Sequence, residues 1–290
     1  MKKKFVKVAA IAATLALGAM LAVGCSGNAA SSSSSAASSD SSSSAAQAVD
    51  ESADIDTLIV GFDNSYPPYG FIGEDGGYTG LDLDLAAEVA DRNGWQIELT
   101  PIDWDAKDAL LGQGTVNCIW NGFTMEGRED DYTFSEPYML NEQVIVTRAD
   151  SGITDFGGLA GKVVITQIDS AALDVLEGDQ EDLAASFAKL DTISDYNNAF
   201  MQLQAGTVDA VACDLSIAAY QMSANPGAYA QLDEPLSSEH YAVGFKKGSE
   251  ALAEKVTDTL REMYADGTIA TICEKYASYG VDVSNWVLED

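Results

Sequence analysis

The sequence predicts an α/β protein of two similar lobes, each built around a mainly parallel sheet. Three observations support this fold class. Apolar runs rich in β-branched residues alternate with amphipathic helical patterns, as in repeated strand-helix-strand units. The tripeptide Gly-Thr-Val opens two similar apolar runs, at Gly114 and again at Gly206. A final strand pattern near Tyr241 precedes a helical pattern that we expect to return to the first lobe.

The first lobe begins with TLIVGF at Thr57, which predicts a buried strand, and the prolines of DNSYPPYG predict a loop after it. GLDLDLAAEVADRNGW predicts an amphipathic helix, because apolar residues recur at Leu81, Leu85 and Val89. Acids in its first turn and Asn-Gly at its end support this helix. IELTPI and VNCIWNG predict two further strands, and DAKDALLGQG predicts a short helix between them.

The second lobe repeats this pattern. GKVVITQ and VDAVACD predict strands, while SAALDVL and NAFMQLQAG predict helices. The stretch from His240 to Tyr276 predicts a strand, a Lys-Lys-Gly turn and one long amphipathic helix. A return of this stretch to the first lobe gives two crossings between lobes, and two crossing strands make a hinge. The predicted boundaries are residues 53–146 and 241–290 for lobe 1 and residues 147–240 for lobe 2.

The first 24 residues predict a secretory signal peptide, because four lysines precede a short, Ala-rich apolar run that ends at Val23. LAVGC at the end of this run resembles the lipobox of bacterial lipoproteins, which predicts an acylated Cys25 and a membrane anchor. A plain signal peptide is the alternative. Residues 25–52 are rich in Ser and Ala and cannot bury enough apolar surface to fold, so they predict a tether.

The composition excludes some classes of binding partner. A formal net charge of -31 would repel nucleic acid and anionic membrane surfaces, which favours a soluble partner or a small ligand. Beyond Cys25 the chain has Cys118, Cys213 and Cys273, with no C-x-x-C pair and a single His in the whole sequence. We therefore expect no metal site and at least one free thiol. We also expect no cofactor and a monomer.

Residues directly after the predicted strands are the candidates for a binding site, because ligands of open parallel sheets bind beyond the carboxyl ends of the strands. These candidates are Asp63, Tyr66, Trp104, Asn121, Gly122, Phe123, Thr124, residues 167–171 with Gln167, Ser170 and Ala171, and Asp214. Arg128 lies close behind them and could bind a carboxylate with its planar guanidinium. An acid from the other lobe, Asp214, would suit an ammonium group, and together the two describe a receptor for a free α-amino acid.

Structural roles are the alternatives for these residues. Arg128 could pair with Glu129 or Asp130 on an exposed loop, a contact worth little. Asp214 could cap the helix predicted for LSIAAY, and Asp63 could be a turn residue before the prolines. The aromatic candidates Tyr66 and Trp104 could belong to the core.

Four motifs resemble those of the family 3 bacterial extracellular solute-binding proteins, the polar amino-acid receptors of ABC importers. They are GLDLDLAAEVA, FDNSYPPYGF, EHYAVGFKKG and GFTMEGRED, and the resemblance covers roughly residues 55 to 285. It implies a two-lobed periplasmic-binding-protein-like fold of type II, with the ligand cleft between the lobes and a two-strand hinge. It also implies an extracytoplasmic protein that delivers its amino acid to an ABC permease.

The resemblance further implies a role for each site residue. Arg128 with Thr124 would hold the ligand carboxylate, completed by Ser170 and the Ala171 amide, and Asp214 would hold the α-amino group. Tyr66 and Trp104 would stack on the ligand side chain, and Asp63 would approach its distal end. Gln167 stands where some members carry a basic residue, and one residue fewer than usual separates Gly122 from Arg128. Because no second Arg or Lys can be placed in the pocket, a polar or cationic ligand is favoured over a dicarboxylic one.

Two other functional classes remain open from the sequence. The same fold hosts dehydratases and cell-wall lyases, so the fold alone does not exclude an enzyme. The catalytic inventory is poor, however, because His240 is the single His and lies in the predicted hinge strand beside Glu239. A surface lipoprotein that senses an amino acid without transport would need the same closing cleft.

Overall fold

The computed structural model describes residues 55–289. The predicted signal peptide, Cys25 and the Ser-rich tether lie outside the described residues. Within residues 55–289 no helix combines the length and the apolar character that a membrane crossing requires.

The chain alternates strands and helices, as the sequence predicts. In chain order the strands are β1 (Thr57–Phe62), β2 (Ser65–Tyr66), β3 (Gly70–Ile72), β4 (Tyr78–Thr79), β5 (Gln96–Pro101), β6 (Cys118–Ile119), β7 (Tyr132–Phe134), β8 (Met139–Arg148), β9 (Val163–Gln167), β10 (Lys189–Ile193), β11 (Ala210–Asp214), β12 (Tyr229–Gln231), β13 (Ser237–Tyr241) and β14 (Gly244–Lys246). The helices are α1 (Leu81–Asn93), α2 (Lys107–Gly112), α3 (Ala171–Glu177), α4 (Glu181–Ser186), α5 (Tyr196–Ala205), α6 (Leu215–Ala224), α7 (Glu250–Ala265) and α8 (Thr268–Lys275).

Two mixed sheets form the centres of the two lobes. The first sheet has the strand order β5-β1-β6-β14-β7, in which β1 runs parallel to β5 and β6 and β14 runs antiparallel to its neighbours. The second sheet has the order β10-β9-β11-β8-β12, with β13 also paired to β8. Its β9, β10 and β11 are parallel, whereas β8 is antiparallel to all its partners. The parallel strands β1, β6, β9 and β11 end at Phe62, Ile119, Gln167 and Asp214. The residues that follow them therefore lie at the carboxyl ends of the parallel strands.

The antiparallel pair of β8 and β13 connects the two sheets. Asn141 lies opposite Glu239, and Met139 lies opposite Tyr241. The chain enters β8 soon after β7 of the first sheet and leaves β13 just before β14 of the first sheet. The fold is therefore the predicted two-lobed α/β arrangement with a two-strand hinge. Both strands belong to the second sheet, so β8 extends into the residues that the sequence assigns to lobe 1.

Three predicted elements differ from the structure. The strand predicted for HYAVGF is interrupted at residues 242–243, because the chain passes there from the second sheet to the first. The single long helix is wrong as well: α7 ends at Ala265 and α8 begins at Thr268. Gly267 between them has φ +85°, a left-handed backbone that breaks the helix, and the Asp266 carboxylate accepts the Thr268 amide. Finally, the sequence predicts mainly parallel sheets, whereas both sheets of the structure also contain antiparallel strands.

The described cysteines agree with the predicted free thiol. Cys118, Cys213 and Cys273 are all buried and unpaired. Burial raises the pKa of each thiol, which keeps it protonated and unreactive.

The start of α1 requires a glycine. Gly80 has φ +150°, and its amide donates to the Tyr276 hydroxyl at 3.0 Å. A Cβ atom placed on Gly80 would lie 2.0 Å from the backbone carbonyl oxygen of Tyr69. The close approach seats α1, with its buried Leu81, Leu83 and Leu85, against the first sheet.

We expect Gly80→Ala to lower the free energy of unfolding by roughly 3 kcal/mol or more, because the clash involves backbone on both sides. Gly112 is the matched control, since a Cβ there would meet nothing within 4 Å. Gly112→Ala should be neutral or stabilise the protein by up to about 1 kcal/mol, because alanine favours the helical backbone. Urea unfolding of the two variants measures both effects, and equal stabilities would contradict the proposed clash.

Candidate functional site

Ten of the twelve predicted binding residues line one pocket between the two lobes. The space that these residues enclose is small, about 10 Å³. Its lining residues are Tyr66, Trp104, Asn121, Gly122, Thr124, Arg128, Gln167, Ser170, Ala171 and Asp214. These residues come from the carboxyl ends of parallel strands in both sheets, as expected for open α/β sheets.

The two remaining predicted residues, Asp63 and Phe123, stand behind the lining. Phe123 is fully buried and packs edge-on against Trp104, with ring centroids 5.5 Å apart. The Arg128 guanidinium carbon lies 5.2 Å from the centroid of the Phe123 ring. Phe123 thus supports two lining residues from below and contributes no surface to the pocket. Trp104 is both a lining residue and a member of this buried cluster, so its two predicted roles coexist.

Asp63 connects the first lobe to the second. One carboxylate oxygen accepts the Ser65 amide at 2.8 Å, which makes the turn that the sequence suggested as an alternative. The other oxygen accepts Gln167 Nε2 at 2.8 Å across the cleft. Burial raises the pKa of Asp63, the two hydrogen bonds oppose this rise, and the charges of Asp195 and Asp103 add to it. Asp63 therefore lies behind the pocket, bonded to the lining residue Gln167.

Arg128 lines the pocket. Its side chain is mostly buried, and its Nη1 donates to the Thr124 carbonyl at 3.3 Å. Its Nη2 lies 2.6 Å from a carboxylate oxygen of Asp174 on α3 of the second lobe. The alternative pairing with Glu129 or Asp130 is not the one observed, because the ion pair crosses the cleft. The guanidinium therefore already holds one carboxylate from across the cleft.

The loop between β9 and α3 faces Arg128. Ser170 occupies the N-cap position of α3, where its hydroxyl accepts the Leu173 amide at 3.2 Å. The same hydroxyl lies 3.2 Å from that of Thr166 in β9. These contacts fix Ser170 and Ala171 at the pocket wall. Hydroxyl and amide groups at a helix start can interact with an anion, although α3 has only seven residues.

Asp214 is part of a buried carboxylate network that includes a residue the sequence analysis did not select. It sits at the N-cap position of α6, but its side chain makes no capping hydrogen bond. Instead, Oδ1 accepts Asn141 Nδ2 at 2.9 Å, Gln143 Nε2 at 2.7 Å and the Tyr241 hydroxyl at 3.0 Å. Asn141 and Gln143 also donate to Glu239 Oε1, at 2.8 and 2.7 Å. The two amides thus bridge the two carboxylates.

Glu239 extends this network to the lining residue Thr124, because the Thr124 hydroxyl donates to Glu239 Oε1 at 2.6 Å. Burial raises the pKa of both Asp214 and Glu239, and the charge of Asp214 raises that of Glu239 further. The donors from Thr124, Asn141, Gln143 and Tyr241 are all neutral. A cation beside this pair would stabilise the ionised form of both acids.

The network residues have a sequence signal that pattern reasoning could have used. Asn141 and Gln143 interrupt the apolar strand MLNEQVIVTR at alternate positions, and alternate residues of a strand share one face. Both are buried although their side chains are polar. Glu239 lies opposite Asn141, and this strand register cannot be read from the sequence.

Asp82 in α1 supports the pocket from behind. One of its oxygens accepts the Gly122 amide at 2.6 Å, and its carboxylate accepts the Tyr138 hydroxyl at 2.8 and 2.9 Å. It therefore ties the first helix to a lining residue and to the residue that precedes β8. Burial raises the pKa of Asp82 to about 7, although both hydrogen bonds oppose the rise. Sequence patterning predicted only that this acid suits the first turn of a helix.

Among residues 55–289 no group of three or more His, Cys, Asp or Glu side chains could hold a metal ion. The pocket itself brings together an Arg, buried carboxylates, amides and aromatic rings. These groups can bind a small molecule that carries opposite charges at its two ends.

The comparison with known proteins identifies the chain as a member of a protein family. Residues 58–279 match the bacterial extracellular solute-binding proteins, family 3. The chain belongs to that family. Membership places the protein on the extracytoplasmic side of the membrane. A relative is the L-cystine-binding protein TcyJ of Escherichia coli K12, which is 29% identical over 231 residues, or 79% of this chain and 84% of TcyJ.

Solved structures of similar proteins confirm the fold. An ABC uptake transporter substrate-binding protein of Streptococcus pneumoniae with bound histidine superposes with a TM-score of 0.75 at 33% identity, over 79% of this chain and 94% of that chain. Tv2483 bound to L-arginine gives 0.74 at 27% identity, over 80% and 93%. The ancestral amino acid-binding protein AncCDT-1, a precursor of cyclohexadienyl dehydratase, gives 0.69 at 28% identity, over 76% and 95%.

The raised pKa of Asp82 makes a prediction about stability. The folded state keeps the proton of Asp82 up to about pH 7, whereas an unfolded aspartate releases it near pH 4. Between these values the folded state binds more protons than the unfolded state, so stability falls as pH rises and levels off above about 7. Asp82→Asn should flatten this fall, by on the order of 3 kcal/mol between pH 4 and 7.5.

Urea unfolding at several pH values measures this effect. Asp91→Asn is the matched control, because Asp91 is an exposed acid on the same helix. The hypothesis about Asp82 fails if the pH profiles of both variants coincide with that of the wild type.

Proposed function

We propose that this family 3 protein is the substrate-binding component of an ABC importer, which binds a free polar or cationic L-amino acid by closure of its lobes and delivers it to a membrane permease. One observation carries the proposal: Arg128 of the first lobe and Asp214 of the second line the same pocket. A zwitterionic amino acid offers a carboxylate to the first and an ammonium group to the second.

The contacts of Arg128 and of Asp214 support these roles. Arg128 holds the Asp174 carboxylate at 2.6 Å, which is the geometry that a ligand carboxylate would adopt in its place. Asp214 and Glu239 are buried with neutral donors, so an ammonium group near Asp214 would supply the positive charge that their hydrogen-bond network lacks. Thr124 and Ser170 would complete the carboxylate end.

The ligand side chain would lie between Tyr66 and Trp104 and point towards Asp63. That acid and the nearby charges of Asp103 and Asp195 make a cationic or hydrogen-bond-donating side chain favourable there. The names of the relatives agree in class, since they include a cystine-binding protein and structures with bound histidine and arginine. We propose binding and not catalysis, because these relatives are binding proteins. A lipid anchor at Cys25 would hold the monomeric receptor at the membrane.

A thermal-shift screen of the ligand-stripped protein against the twenty amino acids and cystine tests the function. We expect the melting temperature to rise with one polar or cationic amino acid, because a ligand that binds the folded state stabilises it. A shift with none of them would refute the proposed amino-acid receptor. Consumption of an amino-acid-like substrate without a thermal shift would favour an enzyme on the same fold.

We expect Arg128→Ala to weaken binding of the amino acid found in this screen by about tenfold or more, because it removes a charge-assisted hydrogen bond. Arg148→Ala is the matched control, since Arg148 pairs with its exposed neighbour Asp150 at the end of β8. Titration calorimetry measures both affinities. An unchanged affinity for Arg128→Ala would mean that the carboxylate binds elsewhere.

A further inference from the structure

One carbonyl oxygen of the second lobe receives three side-chain donors from the first lobe. The oxygen is that of Asp169, in the loop between β9 and α3. Its donors are Trp104 Nε1 at 3.1 Å, Lys107 Nζ at 3.3 Å and Arg128 Nη2 at 3.4 Å. Two of these donors carry a positive charge. The three side chains therefore converge on one atom across the ligand cleft.

The backbone of Asp169 is in an unusual conformation. Its φ is +54°, and within residues 55–289 it is the one non-glycine residue with a positive φ. This left-handed backbone costs a non-glycine residue about 1 kcal/mol, and it persists where the surrounding contacts hold it. Such residues concentrate at ligand clamps and at segments that switch. The loop is therefore held in place by its contacts.

Lys107 makes its hydrogen bond and its ion pair with this same residue. Nζ lies 3.7 Å from a carboxylate oxygen of Asp169, and it lies 5.3 Å from the centroid of the Trp104 ring. The Lys107 side chain is 5% exposed, although lysine is rarely buried. Burial, and then the charge of Arg128, lower its pKa. Since both partners belong to Asp169, separation of the lobes would leave this ammonium group without them.

We propose that Lys107 is a positioning residue of the ligand pocket, which with Trp104 holds the loop of residues 167–171 against Arg128 and stabilises the closed lobes. The inference rests on the proposed function. Lys107 does not line the pocket. It acts through the loop that carries Ser170 and Ala171 and through the carbonyl that Arg128 also binds. The Asp169 carbonyl oxygen thus contributes both to closure of the lobes and to the position of the residues that would bind the ligand carboxylate.

Calorimetry of the full-length chain with L-arginine, L-histidine and L-cystine tests the role of Lys107. For each probe that binds the wild type, Lys107→Met should raise the dissociation constant about tenfold, because it removes a charged donor. Lys107→Arg keeps a cationic donor and should retain more of the affinity. Asp169→Gly keeps the carbonyl and suits a positive φ, so it should lose less affinity than Lys107→Met.

Lys162→Met is the matched control, because Lys162 and its partner Asp209, 3.9 Å away, are half-exposed and both belong to the second lobe. It should leave the dissociation constants unchanged. Equal affinities of the wild type, Lys107→Met and Lys162→Met would overturn the inference and leave the proposed function intact.

Hydrogen exchange distinguishes positioning from a general structural role and needs no ligand. Without any amino acid, Lys107→Met should speed amide exchange in residues 167–173 and leave α1 protected as in the wild type. Faster exchange throughout the chain would show a merely structural role and would overturn the inference. If the wild type binds none of the three amino acids, the proposed function fails on those probes, and the exchange of residues 167–173 still decides whether Lys107 holds the loop.

Discussion

The antiparallel pairing of β8 with β13 is the contact on which the site depends. It joins the two sheets, and it places Asn141 opposite Glu239 beneath Asp214. The hinge and the acidic base of the pocket are therefore the same piece of structure. A change in the angle between the lobes must be absorbed beside the residues that would hold the ligand's ammonium group. This arrangement gives binding and closure a direct physical connection.

The fold was largely predictable from the sequence, because strand and helix patterns in open α/β sheets are strong and local. The period of α1 and the acids of its first turn are examples. The rule that ligands bind beyond the carboxyl ends of parallel strands then selected nine of the ten lining residues of one pocket, and Arg128 lies close behind them in the sequence. Residues that directly follow a strand can be identified from the sequence, and for this reason most of the lining residues were predicted.

The supporting residues were harder to predict, since their roles depend on contacts between distant segments. Glu239 meets Asn141 through strand register, and Lys107 meets Asp169 only because the lobes face each other. Phe123 illustrates the converse: its position in the sequence suggested the lining, but packing against Trp104 places it behind the surface. A break such as the one at Gly267 is also ambiguous in sequence, because helices tolerate an isolated glycine.

The distribution of charge explains why cations are placed at the cleft. With a formal net charge of -31, closure brings together two acidic lobes, and like charges oppose such an approach. Lys107 and Arg128 of the first lobe meet Asp169 and Asp174 of the second, so these two contacts pair opposite charges across the cleft. A ligand carboxylate would compete with Asp174 for Arg128, whereas Lys107 keeps its partners in Asp169. Under the proposed function, Arg128 would recognise the ligand, and Lys107 would offset the repulsion that closure would otherwise meet.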